Sequence, residues 1–160
     1  PLLQIDFLLD LFKKAKAKGI HTTIDTAGGP FTREEPFFSK FQELMQYTDL
    51  LLVDIKHIDE KAHKGLTGKT NKNILDMIRF LSDIKKPVWI RHVLVPERSD
   101  YDEYLNRLND FIQTLDNVER VEILPYHYKW KELGLDYPLK GINPPSRERV
   151  ENAKKILHCS

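Results

Sequence analysis

The chain has 160 residues, with Lys+Arg 25 against Asp+Glu 24 and a single cysteine. That length buries one stable core without disulfide or metal staples, and a formal charge of +1 supplies no basic field of the kind nucleic-acid binders use. No apolar run is long enough for a membrane span, no basic-then-apolar leader is visible, and one cysteine makes neither an intrachain disulfide, a four-cysteine zinc site nor an iron–sulfur cage.

In chain order, Phe7, Leu8, Leu11, Phe12 and Ala15 recur at helical spacing with lysines between them, and Gly19 stops the run as a C-cap does. His21 to Asp25 reads as a short strand, and Phe37 to Tyr47 as a second helix. Leu50 to Lys56 is an apolar run ending in charge, as a buried strand ends. Thr70 to Ile84 predicts an amphipathic helix, with Ile74, Leu75, Ile78 and Leu81 on one side. Val88 to Val95 is the strongest strand. Asp100 to Leu115 predicts a helix, Arg120 to Tyr126 a fourth strand, and Arg147 to Leu157 a last helix behind Pro144-Pro145 and the N-cap candidate Ser146.

Strands alternating with helices at about thirty-residue intervals predict an α/β chain of parallel βα repeats. The continuous apolar strands fit a sheet covered by helices. No linker or low-complexity segment divides it, so residues 1–160 are expected to be one domain.

Ligands in parallel βα folds sit beyond the carboxyl ends of the strands, and each end here carries unusual polarity. The first ends in Asp25-Thr26 before Ala27-Gly28-Gly29. The second ends in Asp54-Ile55-Lys56, whose period of two puts both charges on one face. The third holds Arg91 and His92, and the fourth ends in Pro125-Tyr126-His127. A mid-strand guanidinium needs a partner, so Arg91 meets either a carboxylate such as Asp54 or an anionic ligand. Lysine and arginine suit a carboxylate or phosphate, while paired aspartates with a threonine suit a small cation or sugar hydroxyls.

Three features have blander readings. Gly68-Lys69-Thr70 resembles the tail of a P-loop, but the required first glycine falls on His63. Asp59 and His63 stand four apart on a helix turn, and two ligands make no metal site. Tyr126, Tyr128 and Trp130 read as a packed loop before a partner surface.

Four stretches together, IDTAGG (24–29), LLLVDIKHID (50–59), VWIRHVLVPERSD (88–100) and VEILPYH (121–127), resemble the radical S-adenosylmethionine family. The resemblance is to its branch that activates glycyl radical enzymes. It implies the last four strands of a partial (β/α)6, TIM-like barrel. By the same resemblance, Asp54, Ile55, Lys56, Arg91 and His127 line the S-adenosylmethionine pocket, and Asp25, Thr26 and Asp54 hold a monovalent cation beside it. The family uses a reduced [4Fe–4S] cluster to cleave S-adenosylmethionine. The resulting 5′-deoxyadenosyl radical takes a hydrogen from a glycine of a partner such as pyruvate formate-lyase.

The family's C-x-x-x-C-x-x-C loop and Gly-Gly-Glu motif are absent from these 160 residues. The expectation is therefore a C-terminal portion, cytoplasmic, with no cluster ligands and no activity alone. Its strand at 21–25 is expected to form an uncovered apolar edge that associates with another chain. Two alternatives stand beside this reading. One is a Schiff-base barrel enzyme using Lys56, the other a non-catalytic remnant that binds S-adenosylmethionine or a partner.

Overall fold

Apolar residues at helical spacing in α1 (Ile5–Lys16) turn Ile5, Leu8, Leu9 and Phe12 inward, behind a short 3-10 turn at Leu2–Gln4. The computed structural model describes residues 1–127, 139 and 141–159, so Tyr128 and Trp130 lie outside the described residues. After α1 come β1 (Thr23–Thr26), α2 (Phe37–Gln46), β2 (Leu50–Asp54), α3 (Glu60–Thr67) and α4 (Lys72–Asp83). They are followed by β3 (Val88–Leu94), α5 (Asp102–Gln113), β4 (Val118–Pro125) and α6 (Arg147–Ile156).

The four strands form one sheet in the order β1-β2-β3-β4, every pair parallel. Crossovers between adjacent parallel strands are right-handed as a rule, so strands in sequential order place their helices on the same face. Burial follows from this. In β3, Val88, Ile90, His92 and Leu94 are buried while Trp89, Arg91 and Val93 are half-exposed. The apolar run Leu50–Val53 alternates likewise, so helices cover one face of the sheet and the other is open among the described residues. Apolar content alone does not separate a strand covered on one side from one covered on both.

The core lies between the sheet and its helices. Phe41, Leu44, Leu51, Met77, Ile78, Leu81, Ile90 and Leu105 are all fully buried there. The shorter helix α3 contributes little to it: its one buried residue is His63. Its inward face is short, Ala62 and Leu66 four apart beside His63. Its ends are clearly marked: the Asp59 carboxylate accepts from the Ala62 N–H at 3.0 Å, and Gly68 closes the helix at φ +74. Asp59 pairs with Arg107 at 3.3 Å, and His63 bonds the Lys69 carbonyl at 2.8 Å. Both are structural.

The edge strand β1 departs from the sequence expectation. Its one large apolar residue, Ile24, is buried, and Thr23 and Asp25 face out. The strand is an edge, but a polar one. The exposed apolar surface lies instead on the first helical segment, where Leu3 (87% exposed), Phe7 and Leu11 follow one another at four-residue spacing.

Opposite the strand ends, Asp49 anchors the start of β2. Its carboxylate accepts from Lys16 Nζ at 2.8 Å and from the Thr22 N–H at 2.7 Å. Those bonds, the Lys16 one first, lower its pKa from 3.8 to about 2. A carboxylate with a depressed folded pKa stabilises above its unfolded value and loses that contribution as pH falls through the folded one. Asp49→Asn is therefore expected to be less stable than the parent in urea at pH 7. The gap should close between about pH 4 and pH 2; a gap independent of pH would assign the effect to packing.

Candidate functional site

The site is built at the carboxyl ends of β1, β2 and β3. Beyond β1 the chain turns at Gly28, whose φ of +70 favours glycine and whose added Cβ would stand 2.8 Å from Met77 Cε. The Thr26 hydroxyl accepts the Gly28 N–H at 3.0 Å. Thr26 is thus buried and occupied by its own turn, while Asp25, one residue earlier, stands on the open face.

On β2, Asp54 and Lys56 share the open face, as their period of two requires, and Lys56 Nζ donates to Asp54 Oδ2 at 2.7 Å. Ile55 between them is 1% exposed and points into the core. The β2–β3 register sets Arg91 directly opposite Asp54. Its Nε donates to Asp54 Oδ1 at 2.8 Å, and its terminal nitrogen donates to Asp25 Oδ1. Asp54 and Arg91 side chains are 15% and 16% exposed. Burial works against the guanidinium charge, yet the carboxylates of Asp25 and Asp54 outweigh it and hold the Arg91 pKa above its ordinary value. Arg91 therefore meets two carboxylates, not one. Glu122, its register partner on β4, pairs with Arg120 at 3.0 Å instead.

Beside this cluster lies a cavity of about 450 Å³, lined among others by Lys56, Val93, Leu124, Tyr126 and His127. His127 is exposed at its rim. The fold thus brings Asp25, Asp54, Lys56 and Arg91 into one ion cluster, and His127 lines the same cavity as Lys56. It leaves the Ile55 side chain and the Thr26 hydroxyl facing elsewhere.

Two buried histidines tie this region together: His92, already noted beside Arg91 on the third strand, and His57, to which the sequence reading gives no role. His57 accepts the Asp59 N–H at 3.0 Å and has Nε2 3.3 Å from the Arg98 carbonyl. His92 has both ring nitrogens on carbonyls, and burial lowers both pKa values. The available signal was a histidine inside an apolar strand, on the face opposite Arg91.

The donor set is mixed. Lys56 and Arg91 can take a carboxylate, Asp25 and Asp54 an ammonium or a cation, and the apolar wall a flat ring. A cluster cage is a different matter. The chain has one cysteine, and no group of three His, Cys, Asp or Glu among the described residues could hold a metal ion. These residues do not fit a [4Fe–4S] cluster.

Comparison with known proteins places this geometry. A pyruvate formate-lyase-activating enzyme of Streptococcus mutans is 54% identical over 98% of this chain and 61% of its own length. One from Listeria monocytogenes is 52% identical over all of this chain and 66% of its own. The chain thus spans just under two thirds of the length of these curated relatives. A crystal structure of a domain of pyruvate-formate lyase-activating enzyme from Bacteroides vulgatus superposes with a TM-score of 0.81 at 26% identity, covering 99% of this chain and 88% of that one. A radical SAM methyltransferase from Sphaerobacter thermophilus shares the fold, at a TM-score of 0.61, 18% identity and 88% and 39% coverage. The model of the Radical SAM superfamily matches residues 1–112, and the chain belongs to that superfamily.

Proposed function

We propose that the chain is part of an activating enzyme that uses S-adenosylmethionine and a [4Fe–4S] cluster to generate a glycyl radical on pyruvate formate-lyase or a related partner. Residues 1–160 are read as one cytoplasmic domain, the last four strands of a partial (β/α)6 barrel. The observation that carries the reading is Arg91 held between Asp25 and Asp54, with Lys56 on the same open face. Around it, Lys56 and Arg91 would hold the carboxylate of S-adenosylmethionine, and Asp54 its amino group. The apolar wall and His127 would take the adenosine. Asp25 and Asp54 face the place where a monovalent cation would sit. Ile55 supports the pocket from the core side, and Thr26 supports the cation site by fixing the Asp25–Gly28 turn. The cofactor supplies the radical chemistry when it is bound beside a reduced cluster. The protein's part is to orient it.

Calorimetry of the chain with S-adenosylmethionine is expected to show binding that Asp54→Ala and Lys56→Ala each weaken by about tenfold or more. Variants that bind as the parent does would overturn this site. Incubation with iron and sulfide should give no cluster absorbance and no cofactor cleavage, because the single thiol cannot replace three; turnover by the chain alone would sink that expectation. The Schiff-base reading is disfavoured because the Lys56 ammonium is engaged with Asp54.

Self-association through β1 belongs to the same reading. Among the described residues β1 is an unpaired parallel edge, and it and the exposed Leu3, Phe7 and Leu11 stripe are the surfaces a second chain would use. Sedimentation is expected to show dimers that Phe7→Lys disperses; a monomer at high concentration removes the proposal.

A further inference from the structure

We propose that His92 is a positioning residue that sets Asp54 and Lys56 through the main-chain carbonyl of Ile55; the inference rests on the reading of that strand end as the S-adenosylmethionine site. The pairing of β2 with β3 ends at Asp54 opposite Arg91. One residue further, the Ile55 N–H still donates to the Arg91 carbonyl at 2.9 Å. The Ile55 carbonyl stands 2.8 Å from His92 Nδ1, a side chain where a sheet would continue with main chain. That carbonyl belongs to the peptide joining Ile55 to Lys56, so the ring fixes the plane from which Lys56 departs.

The other side of the ring faces a fixed turn. His92 Nε2 lies 3.1 Å from the Ser99 carbonyl. Ser99 is itself clamped to β3, its hydroxyl donating to the Val93 carbonyl at 2.8 Å and accepting the Val95 N–H at 3.0 Å. His92 therefore spans from the end of β2 to a turn held on β3. It is 2% exposed, on the helix side of the strand that presents Arg91 to the open face. Adjacent residues of one strand thus serve one site from opposite faces, Arg91 by direct ion pairing and His92 through the backbone. A neutral imidazole has one N–H to give, and the shorter contact, to Ile55, takes it.

Two substitutions separate the contacts. The asparagine amide reaches where Nδ1 stands, and the glutamine amide where Nε2 stands. His92→Asn keeps a donor facing the Ile55 carbonyl, whereas His92→Gln offers its N–H to the Ser99 carbonyl and leaves the Ile55 carbonyl without one. Acetylation of Lys56 relative to exposed Lys14, followed by mass spectrometry, reports how firmly Lys56 is held against Asp54. It is expected to be unchanged in His92→Asn and about threefold faster in His92→Gln. S-adenosylmethionine affinity should fall by about tenfold in the glutamine variant only. Both variants should lose stability in urea, the readout that a purely structural role would also move.

Equal Lys56 reactivity in the two variants overturns the proposal. In the unsubstituted chain, histidine ¹⁵N NMR must find the His92 proton on Nδ1, and a proton on Nε2 alone overturns it without any variant having to fold. If the parent chain fails to bind S-adenosylmethionine, the site reading falls while Lys56 reactivity and the ring tautomer still decide the role of His92.

Discussion

Arg91→Met is expected to lower the free energy of unfolding by about 2–3 kcal/mol and to abolish S-adenosylmethionine binding together. The first effect follows from what is left behind. Asp25 and Asp54 lose their shared cation, and Asp54, only 15% exposed, keeps Lys56 alone. Stranding one partner of a fully buried pair costs about 3–5 kcal/mol. The remaining lysine and the solvent that reaches Asp25 bring the expected figure below that range. The methionine stem preserves the hydrocarbon contacts, so the loss reads charge and not volume. Urea unfolding at pH 7 and calorimetry measure the two effects. A change under about 0.5 kcal/mol would place the cluster among ordinary surface ion pairs.

Phe41→Ala is expected to have the larger effect on stability and none on the site. Phe41 is fully buried, and its ring centroid lies 5.1 Å from that of Phe31, 5.9 Å from Phe37 and 6.0 Å from Phe80. Emptying that position costs about 3–5 kcal/mol through lost transfer energy and the cavity left among neighbouring rings. In a chain this size the melting temperature should drop by about 10 °C. Phe41→Leu should recover roughly half, since most of the volume returns. Residual binding of S-adenosylmethionine by the folded fraction should match the parent, because Phe41 is on the covered side of the sheet. Thermal melts followed by circular dichroism, with calorimetry below the transition, test both halves. A destabilised variant that also fails to bind would show that the two faces are coupled.

Most of the fold was legible because its signals are local. Phe7, Leu8, Leu11, Phe12 and Ala15 mark α1 by spacing, although the buried face is Ile5, Leu8, Leu9 and Phe12 and leaves Phe7 and Leu11 exposed; in α4, Ile74, Ile78 and Leu81 are buried as their spacing requires and Leu75 is half-buried. The pairing of Asp54 with Lys56 was likewise visible in a period of two. Other features were less visible for physical reasons. α3 has only Ala62 and Leu66 as its apolar face, so the sequence shows a helix turn at Asp59–His63 but not its full extent. Arg91 had one candidate carboxylate in the sequence but has two in space, since the second depends on how β1 aligns beside β2. Burial on one face of the sheet or on both could not be told from Leu50–Val53, because an open barrel wall also uses apolar residues. His92 looked like one more polar residue in a strand. Its role depends on where the β2–β3 ladder stops, and no residue type encodes that.

The Asp25–Arg91–Asp54–Lys56 cluster has two anions and two cations, so it is neutral as a group. The amino-acid end of a ligand entering there brings one charge of each sign, and the sulfonium of S-adenosylmethionine is a further positive charge that this neutral group does not offset. The ligand's carboxylate can replace an aspartate on a cation, and its ammonium can satisfy the aspartate released, as partners change places in a dance. Binding at such a place is an exchange reaction. Its selectivity is expected to rest on the spacing between the ligand's carboxylate and ammonium, with molecules that carry only one of the two binding more weakly.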